Sequence, residues 1–219
     1  MATTVAPTSR EAAGSTPPTP WYRDRNRQLI VAGVTIAAVC LIAWFLVTSG
    51  KRKEAFAARS LSQARATAEA GNLPLASSEL QKLIQTYKGT DAASEAVITL
   101  NQIRLLNGQG ELAAVGLRDF LASKPDRKYL APTNGLLGAS LENSRKWADA
   151  GDAFARASET ADVEYLKARY LIDAGRAYAE AGKKTEAATA YRTVITKYPK
   201  SSSLTEAQVR LAELTGGQM

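Results

Sequence analysis

The chain has 219 residues, 45% of them apolar and 7% aromatic, which is ordinary for a folded protein and excludes disorder throughout. Histidine is absent and Cys40 is the only cysteine, so imidazole acid–base chemistry, an intrachain disulfide and a cysteine-based zinc site are excluded at once. The formal charge is +7, of which +2 lies in the first fifty residues (Arg10, Arg23, Arg25 and Arg27 against Glu11 and Asp24) and +5 in the remainder, with no arginine cluster interleaved with aromatics of the kind nucleic acid requires.

Residues 1–28 are rich in Thr, Pro, Ala and Ser, with Pro7, Pro17, Pro18 and Pro20 crowded together, and carry too little apolar content to fold. A disordered tail is expected there. From Leu29 to Thr48 the chain has twenty residues with no charge, no proline and one glycine, Gly33. As a helix they would measure ~30 Å, the thickness of a bilayer core. Eleven of them are Leu, Ile, Val or Phe. Each contributes roughly −0.3 to −0.6 kcal/mol at the centre of a span, so insertion is favourable by a few kcal/mol.

A single transmembrane helix over residues 29–49 is therefore expected, touching lipid through residues 29–48. A cleavable signal peptide would have a shorter apolar core, soon after Met1, closing on a small-x-small site; this run is longer and ends Val47-Thr48-Ser49-Gly50. A lipoprotein signal is disfavoured because seven more apolar residues follow Cys40. Trp44 and the pair Trp21-Tyr22 flank the span as interfacial aromatics do. Arg23, Arg25 and Arg27 before the run balance Lys51, Arg52 and Lys53 after it, so local charge does not fix the orientation.

Residues 50–219 repeat. Ala76, Ala113, Ala150 and Ala187 are spaced by 37 residues, and neighbouring columns keep the register. Four residues on stand Leu80, Leu117, Phe154 and Tyr191; seven on stand Leu83, Phe120, Ala157 and Val194; five before stand Gly71, Gly108, Arg145 and Gly182. Twelve before stand Ala64, Asn101, Gly138 and Gly175, with Ala212 one step further, so small residues recur where two helices would cross closely. Each unit then reads as two helices joined at the glycine column, the second presenting apolar residues on one face. In the last unit the pattern predicts a helix over Val163–Ala181, a turn at Gly182-Lys183-Lys184, a helix over Thr185–Lys197 and a stop at Tyr198-Pro199. Units of about 57–93, 94–130, 131–167 and 168–204 follow, with a capping helix at 205–214. The expected fold is all-α: one transmembrane helix, then an α-solenoid of about four hairpins that bury their faces against one another.

These residues resemble the tetratricopeptide repeat, whose pattern asks for small, aromatic, Gly, Ala, aromatic, small and Pro at fixed positions. The unit from Ala168 supplies Gly175, Tyr178, Gly182, Ala187, Tyr191 and Pro199, departing at Val194; the unit from Ala131 supplies Gly138, Ala150, Phe154 and Ala157. The earlier units are more degenerate, with Asn101 and Arg104, and Ala64 and Thr67, at the first-helix positions.

In architecture, a tail, one span and degenerate repeats, the chain resembles the ancillary subunit of the bacterial SecYEG translocon (YfgM-like). A related repeat domain occurs in the cell-division coordinator of the Tol-Pal system. The first resemblance implies a single-pass protein of the bacterial inner membrane with a periplasmic repeat domain. Its implied partners are other proteins: translocon subunits, secreted chains or chaperones. The second implies, as the alternative, a structural scaffold for envelope assembly or cell division. The family's groove positions, carried by the first helix of each unit, fall on Leu61, Arg65, Ile98, Gln102, Leu105, Leu106, Glu142, Asn143, Arg169, Ile172 and Arg176.

No phosphate loop, zinc spacing or nucleophile elbow is present, so no catalytic residue, cofactor or metal is expected and the chain does not read as an enzyme. Glu159 with Asp162, and Asp149 with Asp152, read as ordinary acidic residues at helix ends.

Overall fold

The computed structural model describes residues 25–217, with side chains from Gln28 onward; most of the expected tail lies outside the described residues. All regular structure among the described residues is helical. In chain order it comprises α1 (Arg25–Glu69), α2 (Leu73–Thr86), α3 (Asp91–Leu106), α4 (Gly110–Ala122), α5 (Arg127–Asn143), α6 (Trp147–Thr160), α7 (Glu164–Glu180), α8 (Lys184–Lys197) and α9 (Leu204–Thr215). The chain divides into two compact units, residues 1–50 and 51–219.

In the first unit, α1 begins at Arg25, so Arg25–Gln28 are helical rather than part of a disordered tail. Leu29, Ile36, Leu41, Trp44 and Phe45 are each about two-thirds exposed, an apolar surface that no other described residue covers. The helix is long and apolar enough to cross a membrane, with a mean hydropathy of 2.7 in its richest window.

In the second unit, residues 51–69 of α1 pair with α2, and α3 with α4, α5 with α6 and α7 with α8 complete a stack of antiparallel hairpins on which α9 lies as a cap. The 37-residue columns are its core. Ala76, Ala113, Ala150 and Ala187 are all completely buried, as are Leu80 and Leu117, while Phe154 and Tyr191 are 4% and 2% exposed. A core ordered by repeat register divides into three clusters in chain order: one around α1, α2 and α3, one joining α4 to α7, and one joining α7, α8 and α9.

Sequence dictates where the helices start and stop. Asn72 accepts the Leu75 amide at the start of α2, Pro74 sits in that first turn, and Thr90 accepts the Ala93 amide at the start of α3. At every hairpin turn the chain reverses through a left-handed residue: Gly71 (φ 83°), Gly108 (φ 72°), Arg145 (φ 56°) and Gly182 (φ 74°). All four turns repeat one pair of hydrogen bonds. In the last, Gly182 N donates to Ala179 O (2.9 Å) and Lys183 N to Tyr178 O (2.8 Å), tying off carbonyls that the helix leaves without partners.

Two sequence expectations shift. Pro132, whose ring would be expected near a helix end, is the sixth residue of α5, because that helix begins at Arg127, directly after Pro125-Asp126. In the last unit α7 starts and ends one residue inside the predicted span, and α8 starts one residue before it.

Candidate protein-binding groove

The first helices of the hairpins present a common face. Where α1, α3 and α5 follow one another, that face sinks into an open depression of about 320 Å³, lined by Arg65, Glu95, Ile98, Thr99, Gln102, Lys128, Tyr129 and Pro132. Its rim is held by ion pairs between successive hairpins. Arg65 Nη2 lies 2.9 Å from Glu95 Oε2 and donates a long bond to Thr99 Oγ1 (3.5 Å). Lys128 Nζ lies 2.6 Å from Asp91 Oδ2 and 5.0 Å from the centre of the Tyr129 ring. The Tyr129 hydroxyl donates to Asp91 Oδ1 at 3.1 Å. The Lys128 hydrogen bond holds the Asp91 carboxyl below its ordinary range, against the opposing effect of burial and with help from the Tyr129 hydroxyl. Burial, followed by the bond to Asp91, pushes the Tyr129 phenol up.

Beneath these pairs Glu54 ties the first hairpin to the second. Its two carboxylate oxygens accept the amides of Asp91 (2.8 Å) and Ala92 (2.9 Å), so a side chain of α1 satisfies the first free N–H groups of α3.

Farther along the same face, α5 and α7 carry an alternating chain of charges. Arg169 Nε is 3.4 Å from Asp173 Oδ2; Arg176 Nη2 is 3.1 Å from Asp173 Oδ1, and Arg176 Nη1 is 3.2 Å from Glu142 Oε1. Glu142 and Asp173 are each only 15% exposed at the side chain. Burial, with Asp173 and Glu180 nearby, pushes the Glu142 carboxyl above its ordinary range even though Arg176 pulls the other way.

The predicted groove residues divide accordingly. Arg65, Ile98 and Gln102 meet in the depression. Glu142, Arg169 and Arg176 meet in the charge chain. Leu105 is half-buried near the end of α3, whereas Leu106 is 79% exposed and is not part of the depression's lining. Two residues are corrected outright: Leu61, 4% exposed, belongs to the first core cluster and Ile172, 2% exposed, to the third, because apolar positions of the first helix turn toward its hairpin partner and the adjacent hairpin. Asn143, exposed at the end of α5, packs against the start of α4, where a Cβ on Gly110 would come within 2.5 Å of its Oδ1. Sequence reasoning missed Glu95, Thr99, Lys128, Tyr129 and Asp173. The register held a signal for one of these: Lys128 stands 37 residues after Asp91, as Asp91 stands 37 after Glu54, and contacts join both steps.

Comparison with known proteins agrees with this architecture. A tetratricopeptide-repeat family model matches residues 171–201, from the middle of α7 to just beyond α8. Among solved structures, a Podosopora anserina protein described as a kinesin light chain with nearly identical TPR-like repeats superposes with a TM-score of 0.58 at 16% identity, covering 73% of this chain and 85% of that one. A point variant of that protein gives 0.55 at the same identity, with 73% and 84% covered. At such identity the likeness is one of fold. No curated protein matches the chain in sequence.

Proposed function

We propose that the chain is a membrane-tethered, non-catalytic binding protein: the apolar part of α1 anchors it, and the first-helix face of the hairpin stack holds protein partners. One observation carries this reading. The chain couples an exposed apolar helix with a stack of repeats whose first helices share a depression open to solvent and rimmed by exposed ion pairs. Such pairs are worth a few tenths of a kcal/mol in water, so a partner's charged groups can exchange into them at little cost, while Ile98 and Pro132 offer apolar contact. Anchoring a weak binder raises its effective concentration near partners at the same membrane.

On the resemblance stated above, the site of action is the secretion translocon of a bacterial inner membrane, with the repeats in the periplasm and secreted chains or their chaperones as partners. The test is a photo-crosslinking residue at position 102, where Gln102 is exposed inside the depression. In intact membranes it should trap translocon subunits or chains in transit, and the repeat domain should resist protease added to whole cells. Adducts confined to cell-division or envelope-assembly proteins, with septal enrichment, would replace the translocon by a scaffold role. Protease-accessible repeats on inverted membrane vesicles would place them in the cytosol and end the periplasmic reading.

A further inference from the structure

On the opposite, second-helix side of the stack, α6 and α8 flank a trough of about 280 Å³ floored by Ala174 and Tyr178 of α7. One wall is Ala155 of α6 and the other is the ridge Thr185, Thr189 and Thr193 of α8. Thr189 and Thr193 donate their hydroxyls back to the carbonyls of Thr185 (2.8 Å) and Thr189 (2.7 Å). Their protons are thus already committed, and the trough presents carbon to whatever enters it.

At the preceding hairpin boundary, between α4 and α6, this place is closed by two ion pairs. There Arg118 of α4 reaches Asp149 of α6 (3.6 Å), and Lys146, just before α6, reaches Glu111 of α4 (2.8 Å). One 37-residue step later the four positions are Ala155, Glu186, Lys183 and Ala148. Both bridges lose one partner at the same boundary. Lys183 turns over the Tyr178 ring at 5.6 Å, while Glu186, exposed on the rim of the trough, has no ion-pair partner among the described residues.

We infer that the α6–α8 trough is a second docking site, which takes an arginine adjoining an aliphatic residue from a partner protein, the guanidinium completing the pair with Glu186 and the apolar stem lying over Ala155 and Thr193. The arginine takes the part that Arg118 plays toward Asp149 one boundary earlier, where this boundary has Ala155. Arginine fits better than lysine, since its flat head can face a carboxylate edge-on while its stem covers small apolar side chains. The site lies on different helix faces from the depression at Arg65 and Gln102, so one molecule could hold two partner segments.

The test uses the full-length protein in detergent with labelled Ala and Thr methyl groups, titrated with acetyl-leucyl-arginine amide and with acetyl-leucyl-glutamate amide. Saturable shifts confined to Ala155, Ala190 and Thr193 with the arginine dipeptide, and none with the glutamate dipeptide, are expected. Glu186→Gln should weaken binding about threefold, as expected for an exposed ion pair. Ala155→Arg, which restores the side chain found at the preceding boundary, should abolish binding while the remaining methyl spectrum is unchanged. Equal shifts with both dipeptides, shifts that survive Ala155→Arg in a folded protein, or no shifts in wild type overturn the inference.

Discussion

Gly175 faces the ring of Tyr191 so closely that a Cβ built on it would lie 2.4 Å from the ring's Cε1. The tyrosine is 2% exposed and cannot swing away. One hairpin earlier Gly138 stands in the same relation to Phe154 (2.7 Å), and in the first hairpin Ala64 is matched with Leu80, so a small residue on the first helix admits a large one on the second. In the second hairpin Asn101 occupies the small position opposite Leu117, and Gly116 beside that leucine makes room, a Cβ there meeting Asn101 Oδ1 at 2.7 Å. Gly175→Ala should therefore destabilise the repeat domain by about 1–2 kcal/mol, overpacking outweighing the gain of roughly 1 kcal/mol in helix propensity. Urea unfolding followed by circular dichroism reads the difference; a stabilised variant would mean that this crossing is loose.

Arg145 is the exception in the turn column, holding φ at 56° where the other three turns use glycine. A side chain in that region costs roughly 1–2 kcal/mol, against about 0.5–1 kcal/mol of extra chain entropy lost on fixing a glycine. Arg145→Gly should thus raise stability by about 0.5–1 kcal/mol, and Gly182→Ala at the equivalent turn should lower it by about 1 kcal/mol. Opposite shifts of the urea midpoint are the expected result.

Glu54 places both carboxylate oxygens on the first two amides of α3. Removing it by Glu54→Ala leaves those donors to water and should cost about 1–2 kcal/mol, as the loss of a capping side chain does. Hydrogen exchange should quicken at Asp91 and Ala92 and stay unchanged in α7. Acceleration spread evenly over all hairpins would show a global rather than a capping role.

The apolar helix makes its own prediction. Two lysines at its centre, Ala37→Lys with Leu41→Lys, cost about 3 kcal/mol each in a bilayer, more than the few kcal/mol that favour insertion. Wild type should remain in the membrane pellet after alkaline carbonate, and the double variant should appear in the supernatant with its repeat domain folded. Release of wild type under the same treatment would refute anchoring by this segment.

The hairpin stack was legible because its determinants are local and periodic. Ala76, Ala113, Ala150 and Ala187 recur at completely buried positions, and Gly71, Gly108 and Gly182 mark the reversals. The groove was legible only in part. Family positions state which helix faces the partner, but not how far that helix is rotated, and a small rotation separates exposed Arg65 from buried Leu61, four residues apart on one helix. Contacts between hairpins such as Tyr129 with Asp91 join residues 38 apart, and helical periodicity within either hairpin carries no trace of them. The unmatched pair of positions at Ala155 and Glu186 was readable in register, but it acquired meaning only once Arg118 was found to cross to Asp149.

Two carboxylates on the first-helix face should respond to pH with opposite signs. The Asp91 carboxyl is held below its ordinary value of 3.8, chiefly by the Lys128 hydrogen bond. Its folded state therefore binds a proton less readily than the unfolded chain, so its contribution to stability is complete above 3.8 and is lost as pH falls through the lower folded value. The effect is small, since both side chains are 53% exposed and water screens them. Burial raises Glu142 above its ordinary value of 4.5, so its contribution is greatest below 4.5 and is lost as pH rises through the higher folded value. The stability difference between wild type and Asp91→Asn should therefore grow in favour of wild type as pH is raised through the acid range, whereas the difference between wild type and Glu142→Gln should shrink above 4.5. Urea midpoints measured across that range for all three proteins decide it. Parallel curves for wild type and Glu142→Gln would mean that Arg176 offsets the effect of burial fully, leaving the Glu142 carboxyl with the same proton affinity in the folded as in the unfolded chain.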